Sequence, residues 1–229
     1  MRPSSIKFLL AAVLTLVSAL PAVAQIAMPP TGATPFKDTS MLKPPAGAKV
    51  AVVEFEDLEC GACAHAFPIV RGALDYYKIP LVHHDFIIPS HIWSREAAIT
   101  ARYLQDKVSP KVAEDFRRDV FTNQTNIVSK DDLQKFTLSW FQKQGQPMPF
   151  VLDPAGLFRQ EVASDCTLGE RLGVLHTPTI LVVTAHQWIE VTDITQLNAA
   201  IERAQSQAEA AAPAPAARSN VRKTTTPAQ

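Results

Sequence analysis

Cys60-Gly61-Ala62-Cys63 is the part of this sequence with the clearest chemical capability, because two thiols three residues apart share one face of a helix. The quartet lies between a β-branched run, Lys49–Phe55 (KVAVVEF), and a segment of helical periodicity. A cysteine at a helix start meets unpaired backbone N–H groups and the positive end of the helix dipole. Both favour the thiolate and lower its pKa from about 8.5 into a range of roughly 3.5–7.5. Cys63, one turn further in, is expected to face inward, so that a Cys60–Cys63 disulfide can open and close with little backbone motion. That is the chemistry of dithiol exchange. The only other cysteine, Cys166, is remote in sequence. Three cysteines so spaced make a poor disulfide scaffold. Half a zinc site has the same C-x-x-C spacing, and His65 extends it, but a tetrahedral site needs four ligands and no second pair is present. No metal and no cofactor is expected.

Two further features gather around the pair. Glu54 places a carboxylate inside the apolar run Val50–Phe55, six residues before Cys60. Buried there, it would have a raised pKa and could take the proton of Cys63 when a mixed disulfide resolves; on the solvent face of an edge strand it would do neither. Thr177-Pro178 leads directly into the apolar run Thr179–Val183. A proline fits a strand only at its first position or at an edge, and a cis bond there could hold the chain beside the cysteines.

These residues need elements to position them. Lys49–Phe55 reads as a buried strand, followed by a helix with Phe67, Val70, Leu74 and Tyr77 as its core stripe. Leu81–Ile88 reads as a second strand. Residues from about 90 to 172 are mostly helical: Ser109-Pro110 is a cap with an N1 proline, Ser129 and Asp132 resemble a capping box, Gly145 suits a helix end, and Asp153-Pro154 opens another helix. Strands at Thr179–Thr184 and Gln187–Val191 are close enough for a hairpin. Ile194, Leu197, Ile201 and Ala204 mark a closing amphipathic helix, with Phe158, Val162 and Cys166 on an earlier stripe that makes Cys166 a small core hydrophobe. The order is βαβ, a helical block, then ββα.

The ends have a different composition. Arg2 and Lys7, the apolar run Phe8–Leu20 and Ala22-Val23-Ala24 make residues 1–24 a secretory signal, too short for a membrane span. Residues 25–48 form a proline-rich extended leader, and 209–229 an Ala/Pro-rich, then basic tail without the apolar content to order itself. The formal net charge of +0 gives no electrostatic case for nucleic acid.

KVAVVEFEDLECGACAHAFPIV resembles the active-site strand and helix of the DsbA-like branch of the thioredoxin superfamily, and GVLHTPTILVV resembles its cis-proline loop and following strand. The resemblance spans residues 45–205 and implies an α/β thioredoxin fold with an inserted helical domain, residues 49–208 forming one domain. It implies Cys60 as nucleophile and Cys63 as resolving thiol, joined as a redox-active disulfide through Gly61-Ala62. It also implies Glu54 as the buried acid, Pro178 as the cis-proline and Thr177 as a residue bordering bound peptide. Pro68 matches a helix-kinking proline. The chain departs from the pattern in several places. Gly-Ala lacks the histidine that stabilises the thiolate in strong oxidases; Glu56, Asp57 and Glu59 crowd the approach to Cys60; Ala185-His186 replaces an Asn-Gly turn. His176 stands where glycine is common, on the loop of Pro178, and is expected to lend Cys60 part of the missing stabilisation and to border substrate.

The resemblance implies an exported protein dithiol–disulfide oxidoreductase of the periplasm or cell envelope, expected to be monomeric. Its partners would be exported proteins with cysteines and a membrane redox partner. Oxidation fits an oxidising compartment best. A reductase fed by a membrane partner, and a metal- or peptide-binding module without turnover, use the same thiols.

Overall fold

The structure, a computed structural model, describes residues 36, 37 and 39–211. The signal segment and the tail beyond residue 211 lie outside the described residues. Strand β1 (Val50–Glu56) is buried along its whole length and runs into helix α1 (Gly61–Tyr77). β2 (Leu81–Asp85) lies parallel to β1. Four helices follow: α2 (Ser94–Lys107), α3 (Pro110–Asn123), α4 (Lys130–Lys143) and α5 (Leu157–Leu172). β3 (Thr179–Thr184) and β4 (Trp188–Glu190) then complete a sheet of order β2-β1-β3-β4, with both later pairings antiparallel, before α6 (Leu197–Ala210). This is the expected α/β architecture with the helical block inserted between two halves of the sheet.

Strand alternation sorts β1 onto two cores. Val50 and Val52 pack with Ala66, Val70, Ala200 and Ile201 of α1 and α6. Ala51, Val53 and Phe55 pack on the opposite face with Phe86, Leu172 and Val174. A third core fills the helical block and extends to the cysteines: Cys63 and Phe67 share it with Leu104, Phe116, Trp140 and Phe141.

The capping signals work largely as read. Ser109 accepts from Val112 N at 3.2 Å and Ser129 from Asp132 N at 3.1 Å. Gly145, at φ +63°, ends the α4 turn in the left-handed region that glycine adopts freely. Four boundaries differ. β2 stops at Asp85: Phe86 N still donates to Glu56 O, but the next N–H groups turn to other partners, Ile87 N to Cys166 Sγ and Ile88 N to Asp57 Oδ2. α5 starts at Leu157 after Gly156 (φ +71°), and Asp153 caps it from a distance, accepting from Arg159 N at 2.9 Å. β4 is shorter than Gln187–Val191 because Gln187 belongs to the turn. Thr184 Oγ1 accepts from His186 N and Gln187 N there, so a threonine hydroxyl does the work of the absent Asn-Gly. α6 continues to Ala210, past the composition change at Glu209, on a run of good helix formers. Among the described residues no helix is long and apolar enough to cross a membrane.

Candidate active site

Cys60 is the N-cap of α1, in an extended conformation (φ −82°, ψ 117°). Its sulfur accepts from Cys63 N at 3.4 Å, and its thiol donates to Thr177 O at 3.3 Å. The Thr177-Pro178 bond is cis, and this loop from the far side of the helical block lies directly against the Cys60 sulfur. All three cysteines are free, so the arrangement is that of the reduced dithiol. Cys60 is half-buried, whereas Cys63 is 1% exposed. Gly61 and Ala62, between them, are exposed.

The two thiols are driven apart electronically. The hydrogen bond from the Cys63 thiol, with the Thr177 side chain and the N–H groups of Cys63 and Ala62, lowers Cys60 to about 5 against the cost of its partial burial. Burial, then the bond to Cys60, pushes Cys63 far up, and the negative charge of Glu56 adds to the rise. The chain therefore holds one thiolate and one thiol at neutral pH, with the thiolate on the accessible sulfur.

The acids next to the pair are turned to other tasks. Glu59 Oε2 accepts from Trp93 N at 2.7 Å and Ser94 N at 3.0 Å, capping α2 where its own N-cap residue offers no side chain. Asp57, 1% exposed, accepts from Glu59 N, Ile88 N and Ser94 Oγ, and His91 Nδ1 lies 2.9 Å away. The expected crowding of Cys60 by Glu56, Asp57 and Glu59 is thus corrected. Asp57 and Glu59 tie the active-site loop to the helical block.

Glu54 is fully buried, on the face of β1 that α1 covers. Burial raises it to about 7, even though Arg71 of α1 is hydrogen-bonded to its Oε2. Its other oxygen is buried with no hydrogen-bond partner among the described residues. The alternative position for Glu54, the solvent face of an edge strand, is excluded. Glu56, two residues on, behaves oppositely. Burial opposes its ionisation, but His83, Arg71 and Arg117 outweigh it and hold Glu56 at about 2. Arg117, itself buried, also binds Asp85 at 2.7 Å. Asp85 further takes Arg102 at 2.6 Å, and Arg102 reaches Asp165, which binds His84.

His176 is exposed, its carbonyl accepts from Thr179 Oγ1, and the group that feels its charge is Glu190 of β4. The groups that lower Cys60 are the Cys63 thiol, the Thr177 side chain and the N–H groups at the helix start. His65 is exposed, on the side of α1 away from buried Cys63, so the two do not converge as ligands. Cys166 is half-buried among Ala98, Ile99, Phe158 and Val162, as its stripe implies, and burial raises its thiol. Pro68 lies inside α1.

Three site residues were not anticipated. Arg71 follows Phe67 by one turn on the core stripe of α1, and a cation at a stripe position was the available signal; its guanidinium sits 4.3 Å from the Phe67 ring centre. Glu114, on α3, shares that guanidinium. Gln124, at the end of α3, donates to Leu58 O at 2.8 Å and steadies the loop before Cys60, a contact with no local sequence signal.

A family model described as Thioredoxin matches residues 39–203, covering both the cysteine pair and the proline loop. The chain belongs to the thioredoxin family. No curated protein matches it. Among solved structures it is similar to the thiol-disulfide exchange protein alpha-DsbA2 of Wolbachia pipientis, at 17% identity and TM-score 0.57, over 70% of this chain and 84% of that one. Proteus mirabilis ScsC follows at 15% identity and TM-score 0.56, over 72% and 71%. A periplasmic thioredoxin-like protein of Salmonella enterica serovar Typhimurium is similar at 16% identity and TM-score 0.54, over 75% and 94%. At these identities the likeness establishes the fold: a DsbA-like thioredoxin fold with its helical insertion in place.

Proposed function

We propose that the protein is a dithiol–disulfide oxidoreductase acting on cysteines of exported proteins. The observation that carries this reading is the asymmetry of the pair. The accessible sulfur, at the helix start, is held at about 5, and its buried neighbour is held as a thiol. Such a difference suits a reversible exchange, in which one sulfur meets substrate and the other only resolves.

In the oxidising direction a substrate thiolate attacks Cys60 Sγ of the Cys60–Cys63 disulfide. A mixed disulfide forms, and Cys63 leaves as thiolate and is protonated by Glu54. A second substrate thiolate then attacks the substrate sulfur, and Cys60 departs as the stabilised thiolate. The substrate loses two electrons and the protein gains them. A membrane redox partner that accepts the pair would restore the disulfide. Glu54, raised to about 7, is matched to proton transfer near neutrality. The loop of His176, Thr177 and Pro178 borders the substrate, Thr177 through its carbonyl beside Cys60.

Oxidation is favoured over reduction because stabilising the reduced thiolate makes the disulfide a better oxidant. The signal segment, and the likeness to proteins described as thiol-disulfide exchange and periplasmic, support action in the periplasm or envelope. The domain takes in residues 49–208, with α6 running on to Ala210 and with Phe36 and Leu42 of the preceding segment buried in its core.

Trapping tests the roles. Cys63→Ala, expressed in an exporting host, is expected to accumulate mixed disulfides with substrates through Cys60, and Cys60→Ala to accumulate none. Equal trapping by both, or by neither, would overturn the assignment.

A further inference from the structure

Glu54 lies beneath α1 with one oxygen bound to Arg71 and the other buried and unpartnered. An unpartnered, buried carboxylate oxygen has somewhere to receive a proton; what decides when it does so is the hold of the cation on its twin. That cation is shared. Arg71 meets Glu54 through Nη1, stands 3.6 Å from Glu56 through Nη2, and meets Glu114 through Nε at 2.5 Å. Glu56 has further support, from the Arg117 cation with Nη1 at 3.3 Å and from the His83 imidazole with Nε2 at 2.9 Å. Glu54 and Glu114 therefore compete for Arg71 from opposite ends of its guanidinium.

The two competitors differ in access to solvent. The Glu54 side chain is 0% exposed, whereas that of Glu114 is 40% exposed and Arg71 lies between them at 15%. Arg71 and Glu114 line a surface cleft of about 290 Å³ between α1 and α3, together with Phe67, Leu74, Asp75 and Arg118. The charges that act most on Glu54 come from three elements, Arg71 from α1, Glu56 from its own strand and Glu114 from α3, and the buried imidazole of His83 stands opposite it on β2. Of these, only Glu114 can be altered without burying an uncompensated charge.

We propose that Glu114 is a positioning residue for dithiol exchange: by holding the outer side of the Arg71 guanidinium, it limits the grip of Arg71 on Glu54 and so sets the pH at which Glu54 exchanges a proton with Cys63. This rests on Glu54 as the proton carrier. Removing the Glu114 charge frees Arg71 to serve Glu54 and removes a repulsive neighbour; both changes favour the ionised form of Glu54.

The resolving step isolates this effect. Cys60 of the full chain is loaded as a mixed disulfide with thionitrobenzoate. Cys63 passes its proton to Glu54, attacks Cys60 Sγ and expels the coloured thionitrobenzoate anion, whose appearance is followed against pH. In the wild type the rate should rise as Glu54 ionises. Glu114→Gln should move that rise down by about half a pH unit, making release roughly threefold faster on its acid side. Glu114→Asp, which retains the charge, should return most of the shift. Asp115→Asn, which removes a neighbouring carboxylate bound to Lys111 and Arg118 instead, should leave the midpoint in place. If Glu54→Gln abolishes the rise while Glu114→Gln leaves it unmoved, or moves it up, the positioning role is refuted and the Glu54 role stands. If the rise survives Glu54→Gln, both fail.

Discussion

The two faces of β1 carry residues of opposite character on one continuous backbone. Ala51, Val53 and Phe55 pack among apolar side chains, closing against α5 and the segment after β2, with the His84 ring stacked on Phe55. The other face begins apolar, with Val50 and Val52, and then turns acidic at Glu54 and Glu56, where α1 and α3 supply Arg71 and Arg117. The first face is organised by shape and the second by charge. Ions are removed from water only at a considerable cost, and ion pairs seldom stabilise a fold better than the apolar residues they displace. Two buried acids beneath α1 are therefore poor packing, and the proposed exchange gives one of them a use.

That contrast predicts how each face breaks. The largest effect is expected at Arg117→Met, which leaves Glu56 and Asp85 buried with part of their cationic support gone. A loss of about 3–5 kcal/mol is expected, read by urea denaturation at neutral pH. A loss well below 1 kcal/mol would mean that the acid face is insensitive to charge balance. On the apolar face, α5 approaches so closely that a Cβ on Gly169 would stand 2.4 Å from Phe86 and 3.3 Å from Phe55. Gly169→Ala should cost about 1–3 kcal/mol by overpacking, with no dependence on pH. A pH-dependent loss there would contradict the division between shape and charge.

Glu54→Gln should have the smallest stability effect in acid and a growing one towards neutrality. Glu54 is raised from its ordinary 4.5 to about 7, so the folded wild type holds this proton more firmly than the unfolded chain does. The resulting stabilisation is complete below about 4.5 and is lost as pH rises through 7. Glutamine does not titrate, so the variant should gain on the wild type across that window in parallel melts. A difference constant with pH would show that Glu54 does not titrate within it.

How much of this was legible in the sequence follows from how local each signal is. The cysteine pair, the strand before it and the caps at Ser109 and Ser129 depend on neighbours a few residues away, and they were read correctly. So was the burial of Glu54, because a carboxylate inside an apolar run is itself a local anomaly. What escaped depended on long-range partners. Glu59 looks like a charge crowding Cys60 until the start of α2 is seen to lie against it, 34 residues on. Glu114 shows no peculiarity in sequence; only the packing of α3 on α1 brings it to Arg71, 43 residues away. The role of His176 is of the same long-range kind, because spacing from a proline fixes a backbone neighbourhood and leaves the side-chain direction open.

The fold makes two neighbouring cysteines chemically unlike. Thiolate absorbance in the ultraviolet, followed against pH on the reduced wild type and on the Cys60→Ala and Cys63→Ala variants, tests it directly. The wild type should show one thiolate appearing with a midpoint near 5, assigned to Cys60 by its absence from Cys60→Ala, with Cys63 still protonated well above the ordinary thiol range. Cys63→Ala should titrate somewhat higher than the wild type, having lost the hydrogen bond from the Cys63 thiol but kept the N–H groups at the helix start. Two thiolates forming together near the free-cysteine value of about 8.5 would contradict the account.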